Sequence, residues 1–272
     1  MNPSTPNGWR CTLKILVFVK VTPDTAATVK VDEAGNVTWG DAPLVLNPWD
    51  EYAVEAALQT KEAHGGSVTV VSMGDESALE AIRRALAMGC NDAIRIEDPA
   101  LAEDDSLSTA KVLKAVVEKI GDVDMVFFGR QAIDGDTGLT PPQTARLLGW
   151  PYIGLVAAFR EIDPDGGQFT AERTIEEGRQ VLSSRLPAVV SVAKDFGEPR
   201  YPSFMGIRKA ARAKVPVWSL ADLGLEAPAV KVRLPELQNP PKREVVCEFI
   251  EGDTPEEIAE KLADKILAEK VL

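Results

Sequence analysis

An apolar strand that runs straight into a glycine-punctuated polar loop and then a proline-headed helix leaves few folds open to a chain. Residues 124–143 read this way: Met125, Val126, Phe127 and Phe128 are apolar, Gly129 ends the strand, and Pro141 and Pro142 suit the first turn of a helix. Gly135 and Gly138 would supply positive φ angles or a close approach to a ligand. Unpaired amides at the helix start would favour a phosphate. The stretch lacks both the Gly-Lys-Ser/Thr ending of a P-loop and the Gly-x-Gly-x-x-Gly of a dinucleotide turn. Local physics alone therefore leaves two readings open, a phosphate cradle and an ordinary strand-to-helix loop.

The surrounding pattern supplies the context. Leu13 to Lys20 is a buried-type strand, Asn47 and Pro48 open a helix that stops at His64-Gly65-Gly66, and Ser67 to Met73 is a second strand. Glu76 to Met88 reads as a helix, Ala93 to Ile96 as a strand, Ser106 to Ile120 as a helix and Met125 to Phe128 as a strand. This alternation predicts an α/β fold with an open, mostly parallel, doubly wound sheet and helices on both faces. Ligands of such sheets sit outside the carboxyl ends of the strands, so the loops after Lys20, Met73 and Gly129 should meet there. Thr28 to Asp32 with Asn36 to Trp39 reads as a small hairpin. Ile153 to Glu161, Gln168 to Ile175 and Gln180 to Ser184 form an antiparallel excursion, after which Ala188 to Val192 returns to the sheet.

Composition narrows the function. The net charge of −12 disfavours nonspecific binding to nucleic acid or anionic lipid, and no apolar run approaches a membrane span. Cys11, Cys90 and Cys247 form no Cys-x-x-Cys pair, so neither a disulfide framework nor a metal centre is expected, and the cytoplasm is the simplest location. The single histidine, His64, reads as a helix-end residue, which leaves histidine catalysis and metal ligation without support. No catalytic side chains stand out. Residues 1–12 read as a loose leader without a secretion signal, 13–235 as the nucleotide-binding domain, and 236–272 as an arm with a terminal helix. That helix opens at Thr254-Pro-Glu-Glu257 in capping-box style and carries Ile258, Leu262, Ile266 and Leu267 on one face. The arm suits packing on another body or on its own domain. Between 194 and 214 Arg200, Arg208, Lys209, Arg212 and Lys214 cluster around Tyr201, Phe204 and Met205, as a docking element or as a solvated helix with its aromatics tucked beneath the loop.

Several ordered motifs carry a resemblance: Leu16-Val-Phe-Val-Lys20, Asn47-Pro-Trp-Asp-Glu-Tyr-Ala-Val-Glu55, Ala85-Leu-Ala-Met-Gly89, Gly129 to Thr137, Leu186-Pro-Ala-Val-Val190 and Glu198-Pro-Arg-Tyr-Pro202. Together they resemble the β (small) subunit of electron-transfer flavoproteins over residues 13 to about 272. The resemblance implies a heterodimer with a larger α subunit carrying a redox-active FAD. It also implies an adenine nucleotide on this subunit: structural AMP in respiratory members, and in electron-bifurcating members a second FAD that takes a hydride from NADH. Asp136-Thr137 and the proline at 141 or 142 resemble the FAD kind, while Gly138 and Thr140 depart from it. By motif position, Phe18, Asn47, Met73 and the run Gly129, Arg130, Gln131, Ala132, Ile133, Asp134, Gly135, Asp136, Thr137, Gly138, Leu139, Thr140 inherit the nucleotide contacts. Backbone amides of the run would hold phosphate, and Phe18 and Met73 would line the adenine pocket. Asp134 and Asp136, wrong in charge for phosphate, are assigned to ribose hydroxyls, helix capping or loop bracing. Arg200, Tyr201, Phe204 and Met205 fall in the family's partner-recognition loop, with Phe204 as the apolar anchor for an acyl-CoA-type or other flavin dehydrogenase. The same resemblance favours an arm that lies across the α subunit. The competing readings are an adenine-nucleotide hydrolase or ligase, for which only Lys20 and Asp104-Asp105 would serve, and a nonredox nucleotide sensor.

Overall fold

The computed structural model describes residues 12–33, 35–101, 105–232, 237–239, 241 and 247–269. The expected leader apart from residue 12, Cys11, Asp104 and parts of the proline-rich arm lie outside them. The chain divides into two compact units, residues 1–236 and 237–272.

In the first unit the strands are β1 (Leu13–Val19), β2 (Val21–Pro23), β3 (Lys30–Val31), β4 (Val37–Thr38), β5 (Leu44–Leu46), β6 (Gly66–Met73), β7 (Asp92–Ile96), β8 (Met125–Gly129), β9 (Tyr152–Asp163), β10 (Gln168–Ile175), β11 (Gly178–Arg185), β12 (Ala188–Val192) and β13 (Val217–Trp218). Its helices are α1 (Pro48–His64), α2 (Ala78–Met88), α3 (Ser106–Ile120), α4 (Thr140–Leu148) and α5 (Phe204–Ala210). Nine strands form one sheet in the order β11-β10-β9-β12-β8-β1-β6-β7-β13. All neighbours from β9 to β13 run parallel, and β10 pairs antiparallel with both β9 and β11. The excursion therefore grows out of the parallel sheet, since β9 itself pairs parallel with β12.

Alternation of side chains along the strands builds two cores. Ile15, Val17, Val68 and Val70 point to the face covered by α1 (Val54, Leu58) and α2 (Ile82, Ala85), and all are fully buried. Leu16, Phe18, Val71 and Ile96 point to the opposite face, under α3 (Val112, Val116) and α4 (Ala145). Near-continuous apolar strands follow from burial on both faces. Helix starts follow from capping chemistry: the Asp105 carboxylate accepts the Ser108 amide at 2.7 Å, and the Asp105 amide donates to the Ser108 hydroxyl oxygen at 2.8 Å, closing a capping box at α3.

Two small pairs flank the sheet. β3–β4 is the expected hairpin, shorter than the sequence suggests, and β2–β5 is an antiparallel pair that follows β1 directly. In the second unit, α6 (Pro255–Ala268) opens with the Thr254 hydroxyl accepting the Glu257 amide at 3.2 Å. The Glu257 carboxylate reaches back to the Asp253 amide at 3.0 Å, one residue before the position a strict capping box uses. No residue of α6 is buried, and Leu262 and Leu267 are exposed. Among the described residues no helix is long and apolar enough to cross a membrane.

Candidate nucleotide site and docking segment

From β1 the chain winds to β6 and β7 on one side, then returns through α3 to β8 on the other side of β1. The carboxyl ends of β1 and β8 thus form the topological switch point, where open α/β sheets bind ligands. Residues 130–139 leave β8 at this place. The ends of β6 and β12 lie alongside, with Val19 opposite Ser72 and Val192 opposite Gly129.

Asn47 and Asp50 fix the loop and its base. The buried Asn47 side chain donates to the Gln131 carbonyl at 2.8 Å, and its oxygen accepts the Ile133 amide at 3.3 Å. Asn47 holds the N-cap position of α1, but its side chain caps nothing there; the loop uses it instead. Asp50, also buried, accepts the Lys20 amide at 2.8 Å and the Gly129 amide, tying the end of β1 to the end of β8. A Cβ on Gly129 would lie 2.3 Å from Asp50 Oδ1 and 2.6 Å from the Trp49 carbonyl carbon. Only glycine lets α1 approach β8 this closely.

The loop acids serve as braces. Asp134 pairs with the Lys20 ammonium at 2.8 Å, which leaves its Oδ1 buried without a partner. Asp136 accepts from the Gln131 side-chain amide and donates its own amide to Ala132 at 2.8 Å. Of the two readings for the loop glycines, positive φ or close approach, positive φ falls at Gly138 (60°) and also at Asp136 (52°), but not at Gly135. A short polar side chain tolerates the left-handed region, and its local hydrogen bonds offset the strain. The helix start also departs from expectation. Pro141 and Pro142 carry no N–H, and the Gln143 amide bonds Leu139 O at 3.1 Å, so the first turn of α4 has few amides to offer. Arg130 stacks its guanidinium over the Trp49 ring at 5.5 Å and stands exposed at the loop's start.

Phe18 and Phe128 stack at 5.0 Å beneath this edge, both buried, with the half-buried Met73 packed on the same cluster. Phe18 forms a floor, and Met73 is the more open of the two. Thr137 and Leu139 are exposed.

The segment 198–210 lies elsewhere on this unit. Arg200 faces inward, onto Glu55 at 2.8 Å and onto Glu62. Tyr201, Phe204 and Met205 are 90%, 73% and 70% exposed. A helix does form, α5, but its aromatics are not tucked under the loop. Sequence reasoning placed Arg200 among the docking contacts; its guanidinium is instead engaged within the chain. Asp50 and the Glu55–Glu62 pair were missed. In the sequence Asp50 is a first-turn acid favoured by the helix dipole, and nothing local marks its contact with Gly129 far along the chain.

An electron transfer flavoprotein domain model matches residues 40–223, which takes in α1, the loop and the segment 198–210. The electron transfer flavoprotein subunit beta of Megasphaera elsdenii is 34% identical, over 96% of this chain and 100% of its own. This chain is an electron transfer flavoprotein β subunit by family. The Bacillus subtilis electron transfer flavoprotein subunit beta is 35% identical over 94% of this chain and 98% of its own. Subunit CarD of the caffeyl-CoA reductase–Etf complex of Acetobacterium woodii is 34% identical over 96% and 100%.

Proposed function

We propose that this chain is the β subunit of a heterodimeric electron transfer flavoprotein, and that its β1–β8 switch point holds a FAD. The observation that carries the reading is the loop 130–139, stitched to α1 by Asn47 and Asp50 at the position where a doubly wound sheet binds nucleotides. The residues fit the ligand. Loop amides and Arg130 suit the diphosphate, and the unpaired Asp134 Oδ1 suits a ribose hydroxyl as donor. Half-buried Met73 beside Phe18 suits an adenine edge. When bound, a flavin here supplies hydride acceptance from NADH and onward one-electron transfer. The chain itself binds, orients and shields. Asp136-Thr137 with Pro141 supports FAD, and so does the likeness to CarD, which its name places in a reductase complex.

Structural AMP is the second reading and would use the same residues. A hydrolase finds less support, because Lys20 is engaged with Asp134 and Asp105 caps α3. Tyr201, Phe204 and Met205 form the surface for an acyl-CoA-type flavin dehydrogenase, a transient contact around an apolar anchor. The exposed apolar positions of α6 provide a surface for the α subunit. The complex works in the cytoplasm without membrane insertion or nucleic acid. NADH oxidation by the purified heterodimer tests the proposal: it should require a high-potential and a low-potential acceptor together. Full NADH oxidation with one acceptor alone would overturn bifurcation.

A further inference from the structure

The docking segment owes its geometry to a charge cluster on α1. Arg200 sits between Pro199 and Pro202, whose rings restrict φ, and it makes five side-chain and backbone bonds to two carboxylates. Its Nε donates to Glu55 Oε2 at 2.8 Å, its Nη2 to Glu55 Oε1 at 3.0 Å and its backbone amide to Glu55 Oε2 at 3.1 Å. Nη1 and Nη2 reach the two oxygens of Glu62, the latter at 3.0 Å. Glu55 is 4% exposed and receives one further bond, from Gln59 at 2.8 Å. Burial alone would raise the Glu55 carboxyl, but the Arg200 and Gln59 bonds overcome it and hold it below the usual carboxylate range. A buried carboxylate without that partner is costly, so the fork is strongly held.

A second anchor lies four residues beyond Pro202. At Gly206 an added Cβ would stand 2.3 Å from the Ala87 carbonyl oxygen, so α5 rests directly on the end of α2. The Ser203 side chain accepts the Gly206 amide at 2.9 Å and starts α5. Between the two anchors Tyr201, Phe204 and Met205 project into solvent. Exposed aromatics on an otherwise tethered segment present a surface whose ordering cost is met before any partner arrives.

We propose that Arg200 is a positioning residue for partner docking. Its clamp onto Glu55 and Glu62 fixes the backbone from Tyr201 to Ile207, and Arg200 itself does not touch the partner. The assignment rests on the docking reading above, and deepens it by separating the residues that contact from the residue that presents them.

The test uses the heterodimer with Arg200→Ala, Arg200→Lys, Glu62→Gln, the charge-balanced pair Glu55→Gln/Arg200→Ala, and Phe204→Ala. Hydrogen exchange of amides 201–210 should accelerate about tenfold or more in Arg200→Ala and in the charge-balanced pair. Acceleration should be smaller in Glu62→Gln and Arg200→Lys, with the loop at 130–139 unchanged. Unaltered exchange at 201–210 in the charge-balanced pair would overturn the clamp. Electron delivery is then followed with butyryl-CoA dehydrogenase and butyryl-CoA as the probe. Half-saturation should rise on the order of tenfold in Arg200→Ala while the rate at saturation holds, and adding Phe204→Ala should bring little more. Additive losses would show that Arg200 contacts the partner directly, which contradicts positioning. Unchanged half-saturation in Phe204→Ala would remove the docking reading and leave the exchange result standing.

Discussion

Asp50 makes the architecture of the switch point measurable through pH. Its carboxyl is buried between β1 and β8, and that burial pushes it up from 3.8 to about 7. Hydrogen bonds from Lys20, Asn47 and Gly129 and the Lys20 charge oppose the rise without cancelling it. The folded chain therefore keeps a proton that the unfolded chain releases near pH 4. Between those values the native state binds more protons, so stability falls as pH rises and levels off above about 7. At about 1.4 kcal/mol per pH unit, the loss between pH 5 and pH 8 comes to about 3 kcal/mol. Asp50→Asn cannot ionise and should escape this slope. In urea unfolding of the heterodimer, followed by tryptophan fluorescence, the variant should gain about 3 kcal/mol relative to wild type between pH 5 and pH 8. A difference between the two proteins that stays constant with pH would refute the argument, because it would mean that Asp50 is ionised in both states.

Gly129→Ala places a methyl 2.3 Å from Asp50 Oδ1 and 2.7 Å from the Trp49 carbonyl oxygen. Overpacking against backbone should cost about 1–3 kcal/mol and open the gap between α1 and β8, read as a lower Tm with reduced nucleotide content. Asn47→Ala leaves the Gln131 carbonyl and the Ile133 amide without their partner. A loss of about 1–3 kcal/mol and faster nucleotide release at dilution are expected, and unchanged release would contradict the loop's role as the ligand cradle. Phe204→Ala should weaken electron delivery to an acyl-CoA dehydrogenase with nucleotide content intact, since its side chain is 73% exposed. Loss of nucleotide in that variant would contradict a docking role.

The parallel sheet was legible because its evidence is local. Strands such as Leu13–Val19 and Ala188–Val192 are apolar runs with helices between them, and burial on both faces demands that composition. The short strands β2, β5 and β13 were not legible, since two or three residues carry no period, and they exist only because a neighbour completes their hydrogen bonds. The candidate site divides in the same way. Gly129 and Gly138 announce themselves as glycines, whereas the left-handed turn at Asp136 depends on bonds to Gln131 and Ala132. Asn47 reads as an N-cap from its neighbours, and only the fold brings Gln131 and Ile133 within its reach. The scarcity of amides at the start of α4 has a reason the sequence does contain: prolines at 141 and 142 have no N–H to offer. Arg200 reads as a docking cation in the sequence because its acidic partners lie on α1, well over a hundred residues earlier.

Nucleotide content tests the central claim most directly. Acid extraction and chromatography of the purified heterodimer should yield two FAD per heterodimer and no AMP, with one of the two lost when Asn47 is replaced by alanine. One FAD with one AMP would contradict a flavin at the β1–β8 edge, and a single FAD with no second nucleotide would contradict the site itself.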